Sequence, residues 1–212
     1  MSTDELISRL EQTKLVAIVN PHDRETSLEL IEILVNAGIK AIEILLRSDF
    51  AIDTLIKIRK HYPNILLGAG TVLRENQYDD AVEAGADFTI SAGMSTDLDN
   101  HTISGSIPHI PGIQTPTEII QAQAKGFRLL KFYPAEPAGG AALLSDFETI
   151  FPEVRFMPSG SIKIENLPDY ARIKGVVSVG GTWMYKAGGS IIVESKIQEI
   201  IQQSFKLISN QD

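Results

Sequence analysis

The chain has no cysteine, few histidines, no long uninterrupted apolar run and no cluster of basic residues. Without cysteine there are no disulfides, no thiolate metal sites and no thiol nucleophiles. None of the apolar runs approaches the roughly 18 residues that would suggest a membrane span. The segment from Met1 to Lys14 carries Asp4, Glu5, Arg9 and Glu11, so it lacks the apolar core of a secretory signal. A cytoplasmic protein with no membrane partner is the expectation. Acidic residues outnumber basic ones and leave a formal charge of −8, which disfavours a protein that tracks a phosphate backbone. Nucleic acid is therefore not an expected partner, although a local anion site for a small ligand stays open. The four histidines, His22, His61, His101 and His109, show no HxH or HxxxH spacing, so no metal is expected. His109, in "IPHIPG", reads as a packed core residue more readily than as a pocket residue. GxSxG is missing too, and no histidine partner is evident for Ser91, Ser159 or Ser161.

What the sequence does have is a repeating order. Short apolar, mostly β-branched runs occur at 15–19, 41–46, 65–69, 88–91, 107–110, 129–132, 155–158 and 176–180. Most are continuous instead of alternating, as in parallel strands covered on both faces. Segments of helical period lie between them, for example Ser27, Leu28, Leu30, Ile31, Leu34 and Val35. In "NAGIKAIEI", "EAGADFTIS" and "AKGFRLLKF" a helix ends at glycine and a strand follows two or three residues later. Eight such units over 212 residues leave about 26 residues each, close to the lower limit for a (β/α)8 barrel. The expected fold is a single α/β domain over residues 1–212: a (β/α)8 TIM barrel with an extra amino-terminal helix, Met1 to Thr13, capping one end. A doubly wound open sheet is the alternative, but "VAIVNPHDRET" after the first run holds no glycine and no GxGxxG.

In such a barrel the chemistry sits at the carboxyl ends of the strands and in the loops that follow. Two charges interrupt apolar runs: Lys131 in "RLLKFYP" and Glu43 in "AIEILLR". Burying either is costly. Apolar surroundings favour the neutral amine, the form that attacks a carbonyl to give a Schiff base, while a nearby carboxylate opposes that. A purely structural Lys131–Glu43 ion pair is the competing reading. "LLGAGTVL" brings Gly68, Gly70 and Thr71 to the end of the third run, where small residues let backbone approach a ligand. "FMPSGSI" and "VSVGGTW" end the seventh and eighth runs with glycines beside hydroxyls, where barrels commonly bind phosphate through backbone N–H groups. Glu136, in "YPAEPAGG", reads as a solvated or turn-forming carboxylate in a loop.

The ordered motifs "AIEILLRS", "GAGTVL", "ISAGM", "IPGIQTPTE", "KFYPAE", "MPSGSI" and "VGGTW" resemble the family of 2-keto-3-deoxy-6-phosphogluconate aldolase and 4-hydroxy-2-oxoglutarate aldolase over nearly the whole chain. The resemblance implies a (β/α)8 barrel, a class I aldolase that works through a Schiff base without a cofactor, and a homotrimer. It implies that Lys131 forms the Schiff base and Glu43 transfers protons. Arg47 and Thr71 then match the residues that hold the pyruvate carboxylate, and Tyr133 an aromatic pocket residue. Ser159, Gly160, Ser161, Gly181 and Thr182 match the two phosphate-holding loops. The implied partner is a small keto acid or phosphosugar acid.

The chain departs from the family pattern at three points. Ser161 replaces the second glycine of the commoner Pro-Thr-Gly-Gly, Ala92 stands where proline is frequent, and Leu45 where a hydroxyl residue is frequent. These departures bear on the substrate more than on the chemistry, and Ser161 offers a hydroxyl to the same anion. Two other readings remain at this level: a phosphate-binding barrel isomerase or epimerase using Glu43 and another acid, and a catalytically impaired family member that only binds ligand.

Overall fold

The computed structural model describes residues 1–209 and shows an α/β fold built on parallel strands. It begins with α1 (Thr3–Thr13), whose first turn is closed by a capping box: Ser2 accepts from the Glu5 N–H, and the Glu5 carboxylate accepts from the Ser2 N–H. There follow β1 (Leu15–Val19), α2 (Arg24–Asn36), β2 (Ala41–Leu45), α3 (Ala51–His61), β3 (Leu66–Gly70), α4 (Glu75–Glu83), β4 (Phe88–Ile90) and α5 (Thr96–Ile103). The second part runs β5 (His109–Ile110), β6 (Gly112–Ile113), α6 (Pro116–Ala124), β7 (Leu129–Phe132), α7 (Ala135–Ala138), α8 (Gly140–Ile150), β8 (Arg155–Pro158), α9 (Leu167–Ala171) and β9 (Val179–Gly181). A hairpin, β10 (Lys186–Ala187) and β11 (Ser190–Ile191), precedes α10 (Glu194–Ser209). No described helix is long and apolar enough to cross a membrane.

Six strands form a parallel sheet in the order β5-β4-β3-β2-β1-β9, a half-barrel, and β6-β7-β8 form a second parallel sheet. The expected run at 107–110 holds only the short strand β5, and a further short strand, β6, lies just past it across Pro111 on the other sheet. That residue has no N–H to give a ladder, but its carbonyl accepts from the Lys131 N–H at 2.9 Å. At the other end, isolated parallel bridges Phe156↔Val176 and Ser159↔Gly180 tie β8 to the segment entering β9. The last run is shifted accordingly: Val176 makes a single bridge and the regular strand is Val179–Gly181.

Alternation divides the buried strand residues between two cores. Leu15, Ala17, Val19, Ile42, Ile44, Leu67, Ala69, Leu130 and Phe132 pack outward against the helices. Val16, Ala41, Leu66, Phe88, Ile90, Ile110, Leu129, Met157 and Val177 face one another inside, together with Leu6 and Leu10 from α1. Both faces being covered is why the strands read as unbroken apolar runs. The amino-terminal helix occupies one end of the interior as the sequence predicts, and the opposite end, at the strand C-termini, is left for chemistry.

Candidate active site

Continuing the alternation, Glu43 follows Ala41 and Lys131 follows Leu129 on the inward face, one step nearer the strand C-termini. The two side chains meet: Lys131 Nζ donates to Glu43 Oε1 at 3.0 Å, with Lys131 only 6 % and Glu43 0 % exposed. The second carboxylate oxygen, Glu43 Oε2, is buried with no hydrogen-bond partner. A buried acceptor without a donor is unfavourable by about 1–3 kcal/mol or more, so it stands ready for a proton or a donor from a bound molecule. The Lys131 ammonium also lies 5.4 Å from the centroid of the Tyr133 ring, which continues from β7.

One of the two glycines of β3 is what allows this pair to fit. A Cβ on Gly68 would lie 2.4 Å from the Phe88 ring, and a Cβ on Gly70 would lie 2.0 Å from Glu43 Oε1. Gly68 therefore serves the inner core, whereas Gly70 serves the position of the carboxylate. Thr71 follows at φ 58°, a left-handed conformation that is a real outlier for a β-branched residue. Its Oγ1 accepts from Arg47 Nε at 2.8 Å. The exposed Arg47 guanidinium keeps donors free, and a planar fork of this kind suits a carboxylate.

Ser159 continues the inward face of β8 beyond Met157. Only 1 % exposed, it has a buried Oγ with no partner, deeper than a residue meeting an anion at the mouth. Gly160 adopts φ +107°, and a Cβ there would approach Pro134 Cα to 2.9 Å. This loop is clamped to the end of β7 by Ala135 N–H donating to Ser159 O and Glu136 N–H donating to Gly160 O. Ser161, exposed, is held at φ 60°. The neighbouring loop meets this one at the Ser159–Gly180 bridge, and exposed Thr182 follows. Gly181 has a different reason to be glycine: a Cβ would lie 2.1 Å from the Trp183 ring, whose N–H donates to Ser204 at 3.1 Å.

Two residues weighed in the sequence lie elsewhere. His109 shares β5 with Ile110 but faces the helices, bonded to Thr89 at 2.8 Å and Ser91 at 3.2 Å and set edge-on to Phe127. Burial holds its imidazole down at about 3. Glu136 is helical, in α7, and not in a loop; it accepts from the Tyr170 hydroxyl, whose ionisation is pushed upward by burial and then by that bond. Sequence reasoning missed one polar side chain at the end of β1: Asn20, whose Oδ1 is buried and unpartnered. Its only signal was an amide directly after an apolar strand. Among the described residues no group of three His, Asp or Glu is placed to hold a metal ion.

The arrangement presents an amine and a carboxylate in contact among buried apolar strand residues, with an exposed guanidinium fork beyond the end of the strand that carries the carboxylate. Comparison with known proteins points the same way. A family model described as KDPG and KHG aldolase matches residues 6–203. The 2-dehydro-3-deoxy-phosphogluconate aldolase of Treponema pallidum is 33 % identical over 204 residues, covering 96 % of this chain and 97 % of its own. The KHG/KDPG aldolase of Escherichia coli K12 is 36 % identical over 173 residues, 82 % of this chain and 81 % of its own. A crystal structure of KDPG aldolase from Legionella pneumophila, with pyruvate captured as a covalent carbinolamine intermediate, superposes with a TM-score of 0.82 at 30 % identity, covering 96 % of both chains.

Proposed function

The chain belongs to the KDPG and KHG aldolase family, and on that premise we propose that Lys131 and Glu43 are the Schiff-base and proton-transfer residues of this class I aldolase. Its reaction is the cleavage of 2-keto-3-deoxy-6-phosphogluconate to pyruvate and glyceraldehyde 3-phosphate, with 4-hydroxy-2-oxoglutarate, giving pyruvate and glyoxylate, as a second substrate. The observation that carries the assignment is the 3.0 Å contact between the two buried groups.

The Lys131 proton passes to Glu43, and the free amine adds to the C2 ketone to give a carbinolamine. Glu43 returns that proton to the departing hydroxyl, and loss of water leaves an iminium, which is an electron sink. Glu43 takes the proton of the C4 hydroxyl as the C3–C4 bond breaks; its electron pair moves to C3 and on to the iminium nitrogen, and the aldehyde departs. The remaining enamine is protonated at C3 by the same carboxylate, and water then releases pyruvate and the amine. General acid–base help of this kind is worth typically 10² to 10⁴-fold. Arg47, with Thr71 fixing its Nε, holds the carboxylate of the pyruvate half. Tyr133 walls the pocket, and Gly160, Ser161, Gly181 and Thr182 receive the phosphate. Ser159 is kept with this set as a neighbour of the loop, its hydroxyl turned inward.

The wider reading is one (β/α)8 barrel domain, supported by the continuity of β5 and β6 through Pro111 and by the bridges that join β8 to β9. A cytoplasmic homotrimer completes the proposal, resting on the family resemblance. The test is pyruvate release from 2-keto-3-deoxy-6-phosphogluconate in the presence of EDTA. Wild type is expected to turn over, Lys131→Ala to be inert and Glu43→Gln to be slowed at least 10²-fold. Wild-type turnover by Lys131→Ala would refute the assignment.

A further inference from the structure

Three buried polar side-chain atoms without hydrogen-bond partners belong to the strand ends around the site: Glu43 Oε2, Ser159 Oγ and Asn20 Oδ1. The first two have a place in the account above. Asn20 does not, and its position in the strand register says what it meets.

Within β1, Val16 belongs to the inner core, and Ile18 points inward too, since its Cδ1 lies 3.1 Å from where a Gly180 Cβ would stand, beside Met157 and Ser159. Asn20 follows on the same face just beyond the strand. Ile18 is level with Glu43 on β2, and Ala17 is level with Gly181 on β9. Asn20 therefore stands about 6–7 Å nearer the mouth than the Glu43 level, at roughly 3.3 Å per residue. On one side of it is the strand that carries Glu43; on the other is the strand that ends at Gly181, with Thr182 just beyond. Its carbonyl oxygen is shielded from solvent and has no hydrogen-bond partner among the described residues.

The reading above places C4 of the substrate at Glu43 and the C6 phosphate at the loop holding Thr182. The atom between them is C5, and the side chain between those two strands is Asn20. We infer that Asn20 is a specificity-determining residue whose Oδ1 accepts a hydrogen bond from the C5 hydroxyl of a six-carbon 2-keto-3-deoxy acid, an inference that rests on the Schiff-base reading. A buried carbonyl oxygen discriminates in favour of a donor because a ligand lacking one leaves it unpaired. 4-Hydroxy-2-oxoglutarate carries a carboxylate at C5 and has no C5 hydroxyl to donate to this oxygen.

The test compares kcat/KM for 2-keto-3-deoxy-6-phosphogluconate and its 5-deoxy analogue in wild type, Asn20→Ala and Asn20→Leu, which keeps the branched heavy-atom shape without the polar atoms. Trapping of a pyruvate adduct with borohydride is run on all three. Wild type is expected to prefer the hydroxylated substrate by about tenfold, and both variants to bring that preference close to one while forming the adduct at the wild-type rate. An adduct in all three with the preference unchanged, or absent from the start, would overturn the role of Asn20 alone. Failure of wild type to form any adduct would overturn the Schiff-base reading, and this inference with it.

Discussion

Replacing Gly70 by alanine isolates what positions the carboxylate. The new Cβ would stand 2.0 Å from Glu43 Oε1, 2.7 Å from its Cδ and 2.8 Å from its Cγ, whereas ordinary contact begins near 3.4 Å. The carboxylate oxygen must retreat by about 1.4 Å, and with it goes the 3.0 Å contact to Lys131. A displacement of about 1 Å at a reacting group costs on the order of 10²-fold in rate. Gly70 is not among the positive-φ glycines, so alanine suits the backbone and narrows the unfolded ensemble, a gain of about 0.4–1 kcal/mol. Gly70→Ala should therefore lose at least 10²-fold in kcat while its Tm stays within a few degrees of wild type. Gly68→Ala is the control: its Cβ meets the Phe88 ring at 2.4 Å, so it should lose about 1–3 kcal/mol of stability through overpacking. Steady-state cleavage and thermal melts of the two variants decide the matter. Wild-type kcat in Gly70→Ala would refute the claim that this glycine sets the carboxylate.

Arg47→Ala is expected to raise KM for the keto acid about tenfold or more, in line with losing a charge-assisted bond, with a smaller change in kcat; an unaltered KM would remove Arg47 from carboxylate binding. Ser161→Gly should relieve the left-handed strain at φ 60° and raise unfolding stability by about 1 kcal/mol, measured by denaturant titration; a loss of stability would contradict that. For His109, held down at about 3 by burial, the unfolded chain takes up a proton below about pH 6.5 that the folded chain refuses. Stability is then full above about pH 6.5 and falls progressively between 6.5 and 3, by roughly 1.4 kcal/mol per pH unit at most. His109→Gln should flatten that slope in urea titrations at pH 7, 6 and 5, and an unchanged slope would contradict it.

Much of this architecture is legible in the residues. Apolar runs covered on both faces announce parallel strands, and Glu43 and Lys131 stand out because charge inside such a run is expensive. What the sequence leaves open is register, because a one-dimensional pattern gives the face of a side chain but not its neighbour on the next strand. Gly70 looks like a residue making room for a ligand, and only the pairing of β2 with β3 shows it making room for Glu43. Gly181 resembles a phosphate-loop glycine, yet its missing Cβ accommodates the Trp183 ring. Ser159 resembles a mouth residue and proves to be buried. Asn20 passes for the start of a loop because the amide follows a strand and precedes a proline; its importance comes from the strands on either side. Pro111 is visible in "IPHIPG", but that a further short strand follows it on the other sheet is not.

The central claim is that the inward-facing amine of Lys131 bonds covalently to a keto acid. Incubating the protein with pyruvate, reducing with borohydride and mapping the peptides by mass tests it most directly. A single reduced pyruvate adduct on Lys131, lost in Lys131→Ala and present in Asn20→Ala, is the expected result. No adduct, or one on another lysine, would contradict the account.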